Sequence, residues 1–563
     1  MNQLKSLIVK NTLFLRKNVE IVLIFLLFLV TRLPSLFAPY HQDEYKWARI
    51  ADYTNGMAGT IPHPPMSEFL YHIAGFVTGY ANLRYLPLFF SIAVFFLLYL
   101  VVKRFIDKNT ALWSCFIFSL IPYSVLASLQ IDIDGAFLPF WTLLLFLGYS
   151  MVREKGIKYR KGLLIIVVAL VGGILSKLSF VLAPLVVLTH FVYERFDDDG
   201  GTILKKFLNW KIITSVCVFL FLLLLVYARF SSEIFFLRYV RNFTGLSGRN
   251  FGQFFFLTAK AFIYLSPVLV FASIFAIKYF KKLSLWYFFA IYGVLFYGVV
   301  FDFTTRTLDR YWMILIIPFS VILAYFISIL VDFDKKNIFR ILSMSAVFLL
   351  CGLLFSVIKH NLIPLNPKSA FIEAVIGLNW NILIPLTGGS GPLGFYVSFI
   401  LVAVFSFVSL VLFSVFIFSR NIIIQKTLLL TIISVFSAYS LVLIGEYHFG
   451  MQFGSTAKVL NLLTKKIEST DNIEKVITYN DIGAYELHDL NKYHKRFYAD
   501  PAFVEDNKKK FDEFAGYFMI LDFPHINTNS FYANYLFSCA PVYEYRDKFI
   551  SGKILNCSNR NDK

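Results

Sequence analysis

The stretch VEIVLIFLLFLVTRLPSLFAPYHQDEYKWARIADY (residues 19–53) joins a long apolar run to a sudden cluster of charge. Val19 to Leu36 is long enough to cross a bilayer as a helix, which takes roughly 18 apolar residues. Within a few residues of its end come Asp43, Glu44, Lys46, Arg49 and Asp52, and then IPHPPMSEF (residues 61–69) with His63 and Glu68. The basic start and apolar run resemble a signal peptide, but no small-x-small cleavage site follows. The segment is expected to be a retained anchor.

Working outward, the rest of the chain repeats the apolar theme. Of 563 residues, 58% are hydrophobic and only 16% charged, and 65 are Phe. A soluble chain needs more charge than this to cover its surface, so the composition predicts a membrane-embedded protein. The net charge of +18 does not point to nucleic acid. Its Lys and Arg fall in short clusters between apolar runs: Lys103/Arg104, Arg153 to Lys161, Lys205/Lys206, Lys278 to Lys282 and Lys335/Lys336. They occupy alternate loops, as the positive-inside rule writes orientation, and the basic N-terminus shares their side. That side is expected to be cytoplasmic.

About thirteen spans are expected. They are Val19–Leu36, Leu83–Val102, Ala111–Leu129, Ala136–Val152, Gly162–Leu175, Val181–Phe191, Ile212–Ala228, Phe254–Ile277, Leu285–Phe301, Trp312–Val331, Ile341–Ile358, Gly394–Phe418 and Leu428–Ile444. The fold class is therefore an α-helical polytopic membrane protein, with residues 1–445 as the membrane domain. Threading from a cytoplasmic N-terminus puts the first outer loop (37–82), the turn 130–135, the loop 359–393 and the tail 446–563 outside. The tail is richer in Lys, Asp, Asn and Tyr, and pieces such as EKVITYND and YFMILDF read as strands of a small extracytoplasmic α/β domain. Cys539 and Cys557 both lie in it and form a plausible disulfide in an oxidising compartment; Cys115, Cys217 and Cys351 lie within spans.

Charge beside a membrane is costly, so its placement is informative. The turn SLQIDIDGAFLPF places Asp132 and Asp134 at the mouth between two spans. Two apart on an extended segment, they point the same way. Each acid alone has a bland explanation. Asp43 is a favoured N-cap residue for the helix that EYKWARIADY predicts, with Glu44 turned about 100° from it. Lys177 can snorkel to an interface, and a lone His63 is more often a packing residue than a ligand.

The combination of DE after the first span and HPP about twenty residues later resembles the GT-C glycosyltransferases of the protein O-mannosyltransferase and lipid A aminoarabinose transferase type. QIDIDGAFLPF is similar to their second acidic turn, GGILSKLSFVLAPLVVL to a Lys-containing broken span, and DRYWMILIIPFSVILAYF to an Arg-Tyr-led span with an internal Pro. The resemblance covers residues 15–330, and the remainder by architecture only. The aminoarabinose transferases carry an acidic-Lys pair where this chain has Pro62–His63, and the Trp-Trp-Asp motif of oligosaccharyltransferases is absent. The resemblance implies a polyprenyl-phosphate-linked sugar donor, a protein, lipid or glycan acceptor, and an active site on the extracytoplasmic face.

Such transfer needs a carboxylate to take the acceptor proton, negative charge near an oxocarbenium-like carbon, and cations for the departing phosphate. The expected roles are Asp43 as general base, Glu44 orienting acceptor or base, and Asp134 on the sugar or a divalent ion, with Asp132 as substitute. His63 would sit at the pocket rim. Lys177 and Arg310 are the phosphate candidates, with Arg84, Arg238 and Arg241 in reserve. No covalent nucleophile stands out, which implies inversion. Magnesium or manganese would suit oxygen ligands. The rival class is a transporter or flippase, which predicts ionisable groups at mid-membrane depth and an internal repeat.

Overall fold

The structure, a computed structural model, describes residues 19–41, 43–52, 65–154, 157–199, 251–300, 309–387 and 393–558. The expected span Ile212–Ala228 and residues His63, Cys217, Arg238 and Arg241 lie outside the described residues. Among the described residues, seven single helices are long and apolar enough to cross a membrane, and two bent pairs bring the number to nine. Their outward sides carry Leu350, Phe407 and Ile423, each more than three-fifths exposed. Water penalises such a surface and hydrocarbon does not.

Two breaks in these spans shape the site. The expected span Ala111–Leu129 is two helices, Lys108–Leu120 and Pro122–Leu129, meeting at 71°. Pro122 has no N–H to continue the ladder, so carbonyls at the end of the first helix lose their partners. The wholly buried Arg32 supplies replacements. It donates to the Ser119 carbonyl at 2.9 Å and to the Ser124 and Ser128 hydroxyls at 2.8 and 3.0 Å. The guanidinium thereby fixes the bend from which the second acidic turn emerges. The second break lies at Lys177, extended (φ −159°) between helix Ile157–Ser176 and a short 3-10 turn leading into Leu182–Asp199. The break turns the lysine inward rather than along a lipid-facing surface.

A second expected span is broken in the same way. Phe254–Ile277 is not a single helix: Phe251–Leu265 ends at Ser266, and the chain bends by 92° into the helix that starts at Pro267. Proline again removes the ladder donor, and Ser266 takes a left-handed φ of 86°. The expected outer loop 359–393 is also structured. It holds β1 (Asn361–Leu362), helix Ser369–Ile376 and β2 (Ile382–Leu386), and β2 pairs antiparallel with β3 (Phe395–Ser398).

The last long helix, Ile422–Phe449, ends on Gly450 in the left-handed conformation, and the tail domain follows. It contains β4 (Val476–Tyr479), β5 (Tyr493–Phe497), β6 (Tyr517–Leu521), β7 (Ala540–Asp547) and β8 (Ile550–Asn556), in the sheet order β5-β4-β6-β8-β7. β4 is parallel to both β5 and β6, while β7 and β8 form an antiparallel hairpin on the β6 edge. Helices Thr456–Glu468 and Ala484–Asp489 pack on one face; Val504–Asp512 and Phe531–Phe537 pack on the other. Cys539 and Cys557 are joined by a disulfide.

Candidate active site

The acidic stretch after the first span forms helix Asp43–Ala51. Its Trp47 and Ala48 sit in a small apolar cluster with Tyr71, Ile131, Ile133 and Phe137, which seats the helix against the second acidic turn. That turn lies close to helix Pro122–Leu129. A Cβ on Gly135 would come within 2.4 Å of the Ala127 carbonyl oxygen, so glycine is required there. Tyr71 ties the turn down by donating to the Asp132 carbonyl at 2.9 Å.

Three carboxylates from these two separate segments meet one guanidinium. Arg310, at the start of the span ending at Ser328, holds Asp43 Oδ2 at 3.2 Å, forms a close ion pair with Asp132, and has its Nε 3.9 Å from Asp134 Oδ2. Lys177 pairs with Asp134 and lies 4.8 Å from the centre of the Tyr311 ring. Lys46 holds the other oxygen of Asp43 at 2.7 Å. Asp132, Asp134 and Arg310 are almost wholly buried, whereas Asp43 retains 24% of its side-chain exposure and so faces the approach. Burial pushes the Asp132 carboxyl up from its usual value, and Arg310 works against that shift.

Glu44 takes a different place. The helical step turns it away from Asp43 into full burial, where it accepts from Arg84 at 2.7 Å and from the Ile131 and His41 amides, each at 3.2 Å. Its carboxyl is raised by burial, with Arg84 opposing. Arg84 also donates to the Ser35 and Pro39 carbonyls, so this reserve cation is committed to Glu44 and the loop. The pair knits the first outer loop to the second acidic turn.

The structure thus brings Asp43, Asp132, Asp134, Lys177 and Arg310 together, and sets Glu44 behind them. His63 lies outside the described residues. Sequence reasoning assigned no role to Lys46, although its i+3 spacing from Asp43 on a helix signals the pair. It gave no sign of Arg32, whose partners are the Ser119 carbonyl and the Ser124 and Ser128 hydroxyls far away in the chain. Among the described residues no three His, Cys, Asp or Glu side chains are grouped to hold a metal ion. The site's acids are matched by Lys46, Lys177 and Arg310 instead, so these residues do not fit a resident magnesium or manganese.

Residues 62–227 match the family model described as dolichyl-phosphate-mannose-protein mannosyltransferase. The crystal structure of ArnT from Cupriavidus metallidurans in the apo state superposes on 96% of this chain and 98% of its own, with TM-score 0.54 and 14% identity. The archaeal oligosaccharyltransferase AglB from Archaeoglobus fulgidus, solved with an inhibitory peptide and a dolichol-phosphate, covers 90% of this chain and 70% of its own, with TM-score 0.44 and 11% identity. No curated protein matches the sequence. The resemblance to GT-C glycosyltransferases drawn from the DE and HPP motifs is borne out, and the ArnT likeness shows the fold.

Proposed function

We propose that the chain is an integral-membrane glycosyltransferase that moves a sugar from a polyprenyl-phosphate-linked donor to an acceptor hydroxyl on the extracytoplasmic face. The observation that carries this reading is the convergence of Asp43, Asp132 and Asp134 on Arg310, with Lys177 alongside. A transporter would spread its ionisable groups along a pathway; here acids from two outer turns share one cation at one mouth. The match of residues 62–227 to the mannosyltransferase family adds support.

In this reading Asp43, the most exposed of the three acids, is the general base. The acceptor oxygen bonds to the anomeric carbon as the bond from that carbon to phosphate breaks, with inversion, and the acceptor proton goes to Asp43. The phosphodiester donor carries one negative charge and the released polyprenyl phosphate gains a second. The three acids and the cations Lys46, Lys177 and Arg310 balance in the resting site. When Asp43 becomes neutral, Arg310 and Lys46 lose one claim on their charge and can meet the new charge on phosphate. The proton transfer and the leaving group are thus stabilised by one rearrangement of the same ion pairs. Asp134 is assigned to the sugar, Lys177 and Arg310 to the phosphate, and Glu44 to positioning helix Asp43–Ala51.

The testing experiment incubates purified protein with a panel of polyprenyl-phosphate-linked sugars and follows release of polyprenyl phosphate. Consumption of at least one sugar is expected; inertness toward all of them, with transport of a lipid-linked substrate in proteoliposomes, would overturn the reading.

A further inference from the structure

The tail domain contacts the helix that bears Asp43. Tyr45 packs on Tyr493 with ring centres 5.7 Å apart, Tyr40 packs on Tyr485 at 4.6 Å, and the Tyr40 amide donates to Glu486 at 3.1 Å. Tyr493 opens β5, and the residues just past the carboxyl ends of β4 and β5, Asp481 and Tyr498, lie within electrostatic reach of Lys46 and Asp43 on the same helix. β4 is flanked by β5 on one side and β6 on the other, and the two crossovers run over opposite faces of the sheet. Where connections diverge from a central strand, the loops part and leave a crevice at the strand ends, which is where open α/β sheets bind ligands.

Asn480 and Asp481 follow β4, both left-handed with φ of 57° and 58°, a strained choice for two successive non-glycine residues. Asp481 is wholly buried. One of its oxygens receives Arg496 and the Tyr498 hydroxyl (3.1 Å), both from the end of β5; the other, Oδ1, is buried without a hydrogen-bond partner. Lys46 acts electrostatically on Asp481, and Asp43 on Tyr498, so this group adjoins the base. A buried carboxylate oxygen without a donor is expensive, and strain of this kind collects where ligands are held.

We propose that the tail domain supplies the acceptor side of the site, with Asp481, Arg496 and Tyr498 hydrogen-bonding a saccharide acceptor beside Asp43. A carboxylate oxygen beside guanidinium and phenol donors matches the paired donors and acceptors of a vicinal diol. The inference rests on the transferase reading.

The test uses full-length protein in lipid nanodiscs and saturation-transfer NMR with methyl α-mannoside, methyl β-glucoside and methyl N-acetyl-β-glucosaminide as probes. At least one is expected to bind wild type, and Asp481→Asn and Tyr498→Phe should each weaken it roughly tenfold, as loss of a hydrogen bond to a charged group does. Binding of undecaprenyl phosphate should be unchanged. Tyr498→Phe removes one hydroxyl and keeps the test decisive if Asp481→Asn misfolds. Unaltered glycoside binding in both variants, or no binding to wild type, overturns the proposal. If transfer requires Asp43 while no glycoside binds, the acceptor assignment alone falls; if transfer survives Asp43→Asn, the base assignment falls whatever the glycosides do.

Discussion

Replacing Arg310 with Met removes a cation shared by three carboxylates. Asp132 and Asp134 each keep only 3% side-chain exposure, and Asp132 loses its closest cationic partner. Breaking a buried pair by deleting one member costs about 3–5 kcal/mol, because the other charge stays buried. Asp132→Asn is milder, about 1–2 kcal/mol, since Arg310 retains Asp43 and Asp134. In the double variant the stranded charge is gone, so a coupling of about 2–3 kcal/mol should appear as recovered stability.

The sign with pH follows from Asp132. Its folded carboxyl is already raised by burial, so the charged form is the penalised one. That penalty is absent while the group is protonated and grows as pH rises through the folded value. Without Arg310 the raised value climbs further, so the single variant should lose more stability at about pH 8 than at about pH 5. Denaturant or thermal unfolding in detergent, run at both pH values on wild type, both single variants and the double, gives the cycle. Additive losses, or an Arg310→Met penalty that shrinks as pH rises, would refute the electrostatic account.

Other variants probe separate links. Gly135→Ala would force a methyl into the Ala127 carbonyl, 2.4 Å from where its Cβ must sit. Transfer should fall by at least about tenfold through displacement of the Asp132–Asp134 turn, and a kinetic assay showing wild-type rates would exclude that packing role. Cys539 and Cys557 close a loop with sequence separation 18. A maleimide should label them only after reduction, and reduction should cost the tail domain about 3 kcal/mol by loop-closure entropy, read from its unfolding.

The helical architecture was legible because apolar runs of bilayer length carry their own signal. The convergence of DE, the second acidic turn, Lys177 and Arg310 was legible as a set, since charge placed beside apolar runs needs a reason. The break at Ser266–Pro267 was missed because hydropathy continues smoothly across it, although the proline itself was the cue. The division of labour between neighbours was also hidden. Asp43 and Glu44 are adjacent in sequence, yet one helical step sends the first to the opening and the second into burial on Arg84. Arg32 was illegible in principle, because its partners are a carbonyl and two serine hydroxyls at a bend about ninety residues away. Tertiary contacts between the tail and helix Asp43–Ala51 likewise leave no periodic trace in either segment.

The central claim is that Asp43 takes the acceptor proton beside the lipid phosphate. Its most direct test is the transfer rate of Asp43→Asn with a donor that wild type consumes, measured on protein whose unfolding profile matches wild type. The account predicts loss of transfer by roughly a hundredfold or more, the contribution expected of a general base, with donor binding retained. Turnover at the wild-type rate by that variant would contradict it.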